Sequence, residues 1–313
     1  MKLFNKLFGL YFCIVSSVLI LLSPFVVHAA TVTTVNLGTA ENFAILAGTG
    51  ITNVPTSVIT GNVGLSPAAG GNYAGLTLAE VTGTIYAVDA FGPAGSVNNP
   101  GLLTTAKNDL TTAYLNAAGR IPTQTFSSTD NQLGGQTLTS GVYAFGHGDT
   151  ANLTAASPLI LDAQGNPNAV FIFQASSDLV TASDSTVSLI NGAQACNVFW
   201  QVTSSATLGT GSTFVGTIMA LTSITVTTDV TIQGRVLARN GAVTLDSDTI
   251  TSAVCAVSET ETPDTTSSDT ELPNTNGMTV ADRTVSWNSL IILFSIISTV
   301  ALVVSITRKK TIS

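Results

Sequence analysis

Two consecutive stretches, residues 205–222 (SATLGTGSTFVGTIMALT) and 223–240 (SITVTTDVTIQGRVLARN), decide how this chain folds. Laid over one another they match at a period of 18, and residues 241–250 (GAVTLDSDTI) start a third turn with one residue inserted. Ala206, Leu208, Ser212, Phe214, Gly216, Ile218 and Ala220 fall on Ile224, Val226, Val230, Ile232, Gly234, Val236 and Ala238. Their alternation at period two marks one buried face of an extended chain. Short strands of this kind cannot bury their apolar side alone, so a repeat implies stacked coils. An 18-residue coil has room for three short strands and three turns, which predicts a β-helix. The runs 169–175 (AVFIFQA) and 197–202 (NVFWQV) read as further, less regular coils.

Working outward, residues 99–118 break the β pattern. Leu102, Leu103, Ala106, Leu110, Ala113, Tyr114 and Ala117 recur at helical spacing, with Pro100 suited to a first turn and Gly119 to a stop. This amphipathic helix needs an apolar bed, and the coils offer Met219, Leu221 and Leu237 on one side. Another side is left free.

On the remaining sides, neighbouring strands ~4.8 Å apart would stack Thr207, Thr225 and Thr244 in one column and Thr213 with Thr231 in a second. Thr210, Thr228 and Ser247 fall near the strand ends, with Thr227 alongside. Thr154-Ala155-Ala156-Ser157, Thr181-Ala182-Ser183-Asp184 and Thr210-Gly211-Ser212-Thr213 share a Thr-small-any-polar form. Threonine also has high strand propensity in its own right, so such ladders can be purely structural. What a rigid, uncharged array of hydroxyls and methyls can do is order water into an ice-like layer, the methyls excluding bulk solvent while the hydroxyls pin it.

Composition agrees with that surface. The chain has 313 residues, 9% of them charged, with a net charge of −8, against about 25% charged in an average domain. Between residues 31 and 258 the basic side chains are Lys107, Arg120, Arg235 and Arg239, too few for the basic stripe that nucleic-acid binding requires. Catalytic constellations are missing as well. Asp246 and Asp248 read as isolated solvated acids, and His147, in Gly146-His147-Gly148-Asp149, reads as a loop residue. No metal-ligand spacing or cofactor motif stands out, and Gly134-Gly135 lacks the setting of a phosphate loop. The expectation is a protein that is not an enzyme and takes no cofactor.

The ends give an address. Lys2 and Lys6 precede an apolar run at 7–27, and Val27-His28-Ala29 or Ala29-Ala30 offers small residues for cleavage, so 1–30 reads as a secretory signal peptide or, if uncleaved, a membrane anchor. Residues 257–285, rich in Ser, Thr, Glu, Asp and Pro, form a disordered stalk. An uncharged stretch at 287–306 is long enough to cross a bilayer, and the basic tail at 307–313 belongs on the cytoplasmic side. Within the stalk, Leu272-Pro273-Asn274-Thr275-Asn276-Gly277 resembles the Leu-Pro-any-Thr-Gly sorting signal of Gram-positive bacteria, with Asn276 where the pattern has Gly. Covalent attachment to the cell wall by a sortase and simple membrane tethering are both open. Either displays the body, 31–256, outside the cell. In that oxidising setting Cys196 and Cys255 suggest a disulfide tying the end of the repeats to an inner coil.

Several motifs in order then resemble one family. Leu37-Gly38-Thr39-Ala40-Glu41-Asn42-Phe43-Ala44-Ile45-Leu46-Ala47-Gly48, Ile59-Thr60-Gly61-Asn62-Val63-Gly64, Cys196-Asn197-Val198-Phe199-Trp200-Gln201-Val202 and Gly234-Arg235-Val236-Leu237-Ala238 are similar to the bacterial and fungal type 1 ice-binding proteins, from about Val35 to Cys255. The resemblance implies a discontinuous right-handed β-helix of triangular section, a long helix alongside and a capping region, here 52–96. It also implies an ice crystal surface as the partner, met by a flat face bearing Thr-Ala/Gly-any-Thr/Asn motifs. Thr210-Gly211-Ser212-Thr213 fits that motif; Thr228-Asp229-Val230-Thr231 departs at its second position and Ser247-Asp248 departs further. The expected contact set is Thr154, Thr181, Thr207, Thr210, Thr213, Thr225, Thr227, Thr228, Thr231 and Thr244. A surface adhesin or structural protein that binds carbohydrate or another cell on the same scaffold is the competing reading.

Overall fold

The computed structural model describes residues 32–127 and 131–256. The leader 1–30, the stalk 257–285 with its motif 272–277, the apolar stretch 287–306 and the tail 307–313 lie outside the described residues. Among the described residues no helix is long and apolar enough to cross a membrane.

The described chain is mainly β, in three parallel sheets of thirteen, seven and three strands, with one α-helix. The 18-residue repeat sets the register. Thr213–Ala220 lies on Thr231–Ala238 over its whole length, and Ala206–Leu208 lies on Ile224–Val226. Each regular coil therefore has two strands rather than the three expected. Its long strand carries a glycine at the fourth position, Gly216 (φ 110°) or Gly234; the strand begins on an exposed threonine, Thr213 or Thr231, and carries near its end a residue buried against the helix at 100–118, Met219 or Leu237. The glycines are required there: a Cβ on Gly234 would stand 1.9 Å from the Gly216 carbonyl oxygen.

The sequence order and the stacking order differ. The first strand, Phe43–Ala47, pairs with Thr231–Ala238 from the last coils on one side and with Asn62–Leu65 on the other. Ile51–Val54 pairs with Val243–Asp246, and Val58–Thr60 with Thr249–Thr251. Residues 52–96 thus carry the sheets onward at one end of the stack. The chain then returns along the stack as helix α1, Pro100–Ala118, and builds the remaining coils back toward its own start.

Asn99 caps α1 by accepting the Leu102 N–H at 3.1 Å, and Pro100 occupies the first turn, where its missing N–H leaves no bond unmade. Leu103, Ala106, Leu110, Ala113, Tyr114 and Ala117 are buried against Phe43, Leu46, Val142, Ile172, Phe199, Met219 and Leu237 of the thirteen-stranded sheet. Polar clamps fix the helix lengthwise. Lys107 Nζ donates to the Ala238 carbonyl at 2.7 Å, and Gln174 Nε2 donates to the carbonyls of Ala117 and Arg120. Between the sheets runs an apolar core containing a chain of rings, Phe145, Phe126, Tyr143, Phe173, Trp200 and Phe214. Cys196 and Cys255 form a disulfide, fastening the segment after the last strand to the turn before Val198–Val202.

Candidate functional site

The seven-stranded sheet carries the candidate surface. Its inward columns are buried: Ala206, Ile224, Val243 and Ile51 form one, with Leu208, Val226 and Leu245 beside it. Because side chains alternate across a strand, the residues between them must point out. Thr207 registers with Thr225, Thr225 with Thr244, and Thr244 with Thr52, which gives four threonines on four adjacent strands. Val180 and Asn152 continue the column at one end and Ala74 ends it at the other. Thr52 and Thr207 are exposed, Thr225 and Thr244 half-buried. The column contains no charge, and α1 packs on the thirteen-stranded sheet instead.

Hydroxyl bonding separates these threonines from those at the corner beside the sheet. Among the described residues, the hydroxyls of Thr52, Thr207, Thr225 and Thr244 take no partner from the protein. At the corner beside the sheet the opposite holds. Thr227 donates to the Leu208 carbonyl at 2.7 Å, Thr210 stands 3.2 Å from the Thr227 oxygen, and Thr228 donates to Asp246 at 2.6 Å. Those protons are committed internally, whereas the column keeps its own for solvent.

The ten threonines expected to share a face do not do so. Thr207, Thr225 and Thr244 stand on the seven-stranded sheet. Thr213 and Thr231 register with each other on the adjoining part of the thirteen-stranded sheet. Thr210, Thr227 and Thr228 occupy the corner between them, and Thr154 is half-buried at the end of the stack. Thr181 is not on the surface at all: it is 3% exposed, and its hydroxyl accepts the Gly209 N–H at 2.9 Å. It registers with Leu153, an inward position.

Nor is Asp248 a solvated acid. It is 1% exposed, accepts the N–H groups of Val230 and Asp246, each at 2.9 Å, and its own N–H donates to Ser57 Oγ. Burial, with the nearby carboxylates of Asp246 and Asp229, raises its pKa to about 7 against the pull of those two N–H groups. Ser247 does not extend the column of Thr210 and Thr228; Asp246 takes that place, bonded to Thr228. His147 lies exposed in a turn. Among the described residues no group of three or more His, Cys, Asp or Glu side chains could hold a metal ion.

Sequence reasoning missed Thr52, which reaches the column from the N-terminal strand that closes on the last coil. The signal was present as alternation in Ile51-Thr52-Asn53-Val54, but its neighbour lies 192 residues further on.

Residues 45–251 match the profile of the Ice-binding-like family. An ice-binding protein of Nostoc sp. (strain HG1) is 45% identical over 232 residues, 74% of this chain and 79% of that protein. One from Flavobacterium frigoris (strain PS1) is 43% identical over 221 residues, 71% of this chain and 77% of its own. Among solved structures, an ice-binding protein from an Antarctic biological consortium superposes with a TM-score of 0.62 at 36% identity, covering 74% of this chain and 97% of that one. The ice-binding protein of an Arctic yeast, described for its antifreeze activity, gives 0.63 at 30% identity, covering 80% and 98%.

Proposed function

Because the chain belongs to the Ice-binding-like family, we propose that it adsorbs to ice through the outward threonines of its seven-stranded sheet, without catalysis. The single observation that carries this reading is the column of Thr52, Thr244, Thr225 and Thr207, whose hydroxyls have no protein partner and rise in register from four adjacent strands. Strands ~4.8 Å apart repeat near the oxygen spacing of ice. Threonine is stiff at χ1, so little side-chain freedom is lost when the water above becomes ordered. The scaffold is read as a right-handed β-helix of triangular section, and its low charge leaves such a layer undisturbed.

The protein is exported through 1–30 and held at the cell surface through 257–313, by the membrane stretch 287–306 or by sortase attachment to the cell wall at 272–277. Adsorption there would curb ice growth or recrystallisation, and the tether favours a third outcome, holding the cell on ice. The test is Thr225→Tyr, which places a ring in the middle of the column. Ice shaping is expected to change and recrystallisation inhibition to fall, because this face no longer seats on the crystal, while circular dichroism and the melting temperature stay unchanged. A variant that shapes ice like the parent sinks the assignment of this face. A parent protein that is excluded from growing ice as thoroughly as a control supports the adhesin reading instead.

A further inference from the structure

A second array stands on the adjoining sheet. There Thr213, Thr231 and Thr249 register on successive strands, followed by Val58. Two residues further along, Gln233, Thr251, Thr60 and Thr82 register in the same way. All eight side chains are exposed and none is charged. Ile232, Ile250 and Ile59 lie between the two ranks and are buried, so the ranks share one outward side. Among the described residues the six threonine hydroxyls have no protein partner.

Strand propensity accounts for threonine on an exposed strand but not for this pattern of bonding. Where hydroxyls in this fold can reach one another they do so, as Ser205 reaches Thr222 at 2.6 Å and Thr210 reaches Thr227. In the two ranks they are held apart at the strand spacing, ~4.8 Å across and roughly 6.6 Å along. That is a two-dimensional lattice, whereas the seven-stranded sheet offers essentially one column. The two surfaces meet along the corner turns, since the strands Ala206–Leu208 and Ile224–Val226 of the first lead through them into Thr213–Ala220 and Thr231–Ala238 of the second.

We propose that the array of Thr213, Thr231, Thr249, Thr251, Thr60 and Thr82 is a second ice-contact surface, so that the protein engages two differently oriented planes of the crystal. This rests on the reading of the chain as an ice binder, and its failure is separable from the failure of that reading. Two surfaces joined at a corner are rigidly related and cannot lie on one plane together. Each therefore selects its own, and a molecule seated where two planes meet is held on both.

The experiment is adsorption of the dye-labelled full-length protein to a single-crystal ice hemisphere, comparing the parent with Thr251→Tyr and Thr225→Tyr, each checked for an unchanged circular dichroism spectrum. The parent is expected to mark two sets of planes, T251Y to lose one set and T225Y to lose the other. If T251Y marks the same planes as the parent while T225Y loses adsorption, the second surface is refuted and the first stands. If T251Y abolishes all adsorption and T225Y none, a two-surface mechanism is overturned and the seven-stranded sheet with it. Failure of the parent to adsorb overturns both proposals.

Discussion

Asp248 gives this fold a pH dependence that can be calculated. Its carboxyl is buried where the last coil meets residues 57–60, bonded to the N–H groups of Val230 and Asp246 and close to the carboxylates of Asp246 and Asp229. It titrates at about 7 in the folded protein against 3.8 ordinarily. A folded pKa above the unfolded value means that the native state holds the proton more tightly, so this stabilisation is full below pH 3.8 and is lost as pH rises through 7. At about 1.4 kcal/mol per pH decade, the part lost between pH 5 and pH 7.5 is about 2.5 kcal/mol. For a body of this size that corresponds to a fall of roughly 5–10 °C in melting temperature.

Two other shifted groups act outside this window. Burial opposes ionisation of Glu80, but hydrogen bonds from Ser57, Thr77 and Asn53 outweigh it and hold the carboxyl below its usual range. Its contribution is lost only as pH falls further toward acid. Burial and Arg239 bring Lys107 down to about 8, so its effect begins above the window and has the opposite sign, stability rising with pH. The assay is scanning calorimetry at pH 5, 6, 7 and 7.5 on the parent and Asp248→Asn. The amide turns a donor toward one of the two N–H groups, which costs about 1–3 kcal/mol at pH 5, but the fall with pH should vanish. A parent that melts at one temperature across the range, or an Asn variant that keeps the slope, refutes the reasoning.

Two further outcomes concern stability alone. Cys196 and Cys255 are 59 residues apart, and loop closure of that length is worth about 4 kcal/mol; the paired Cys→Ser variant should lose about that much unfolding free energy, read as a lower denaturant midpoint at unchanged slope, and an unchanged midpoint would show that the last segment is held without the bond. Gly234→Ala forces a Cβ to within 1.9 Å of the Gly216 carbonyl, whereas Gly71→Ala meets nothing within 4 Å; G234A should lose several kcal/mol or fail to accumulate, and equal melting temperatures for the two would contradict the stacked glycines.

How much of this could be read from the amino acids depended on where each partner strand lies in the chain. The 18-residue period aligned Thr207 with Thr225 and, past one insertion, Thr244, because those coils follow directly. Thr52 and Thr60 pair with strands 192 and 191 residues further on, and Thr82 pairs with Thr60, so no period betrays them; Thr249 and Thr251 lie one period after Thr231 and Gln233, but the one-residue insertion earlier in that turn hides the match. The helix was legible because its apolar spacing, cap and stop are all local. Thr181 misled because a four-residue motif carries no phase: the run Leu179-Val180-Thr181 puts Val180 outward and Thr181 inward. Asp248 misled for a related reason. Ser247 has φ 60°, and a left-handed residue breaks the alternation that would otherwise tell in from out.

That same left-handed position explains the motif itself. Gly211, Asp229 and Ser247 have φ of 70°, 60° and 60°, and each sits at the corner between the two arrays. The region tolerates Gly best and Asp and Asn next, so the second place of Thr-Ala/Gly-any-Thr/Asn answers here to the backbone of the turn rather than to ice. Asp184, at φ 57°, marks the equivalent corner one coil earlier, which makes Ser183-Asp184-Ser185-Thr186 the true counterpart of Thr210-Gly211-Ser212-Thr213 and displaces the frame starting at Thr181. The motif then spans two surfaces: its first residue belongs to the corner and its last begins a rank on the adjoining sheet. Asp229, a departure by sequence, therefore lies in neither array. What the departure changes is the corner, where Thr228 already binds Asp246, and it leaves the register of the columns that the corner joins untouched.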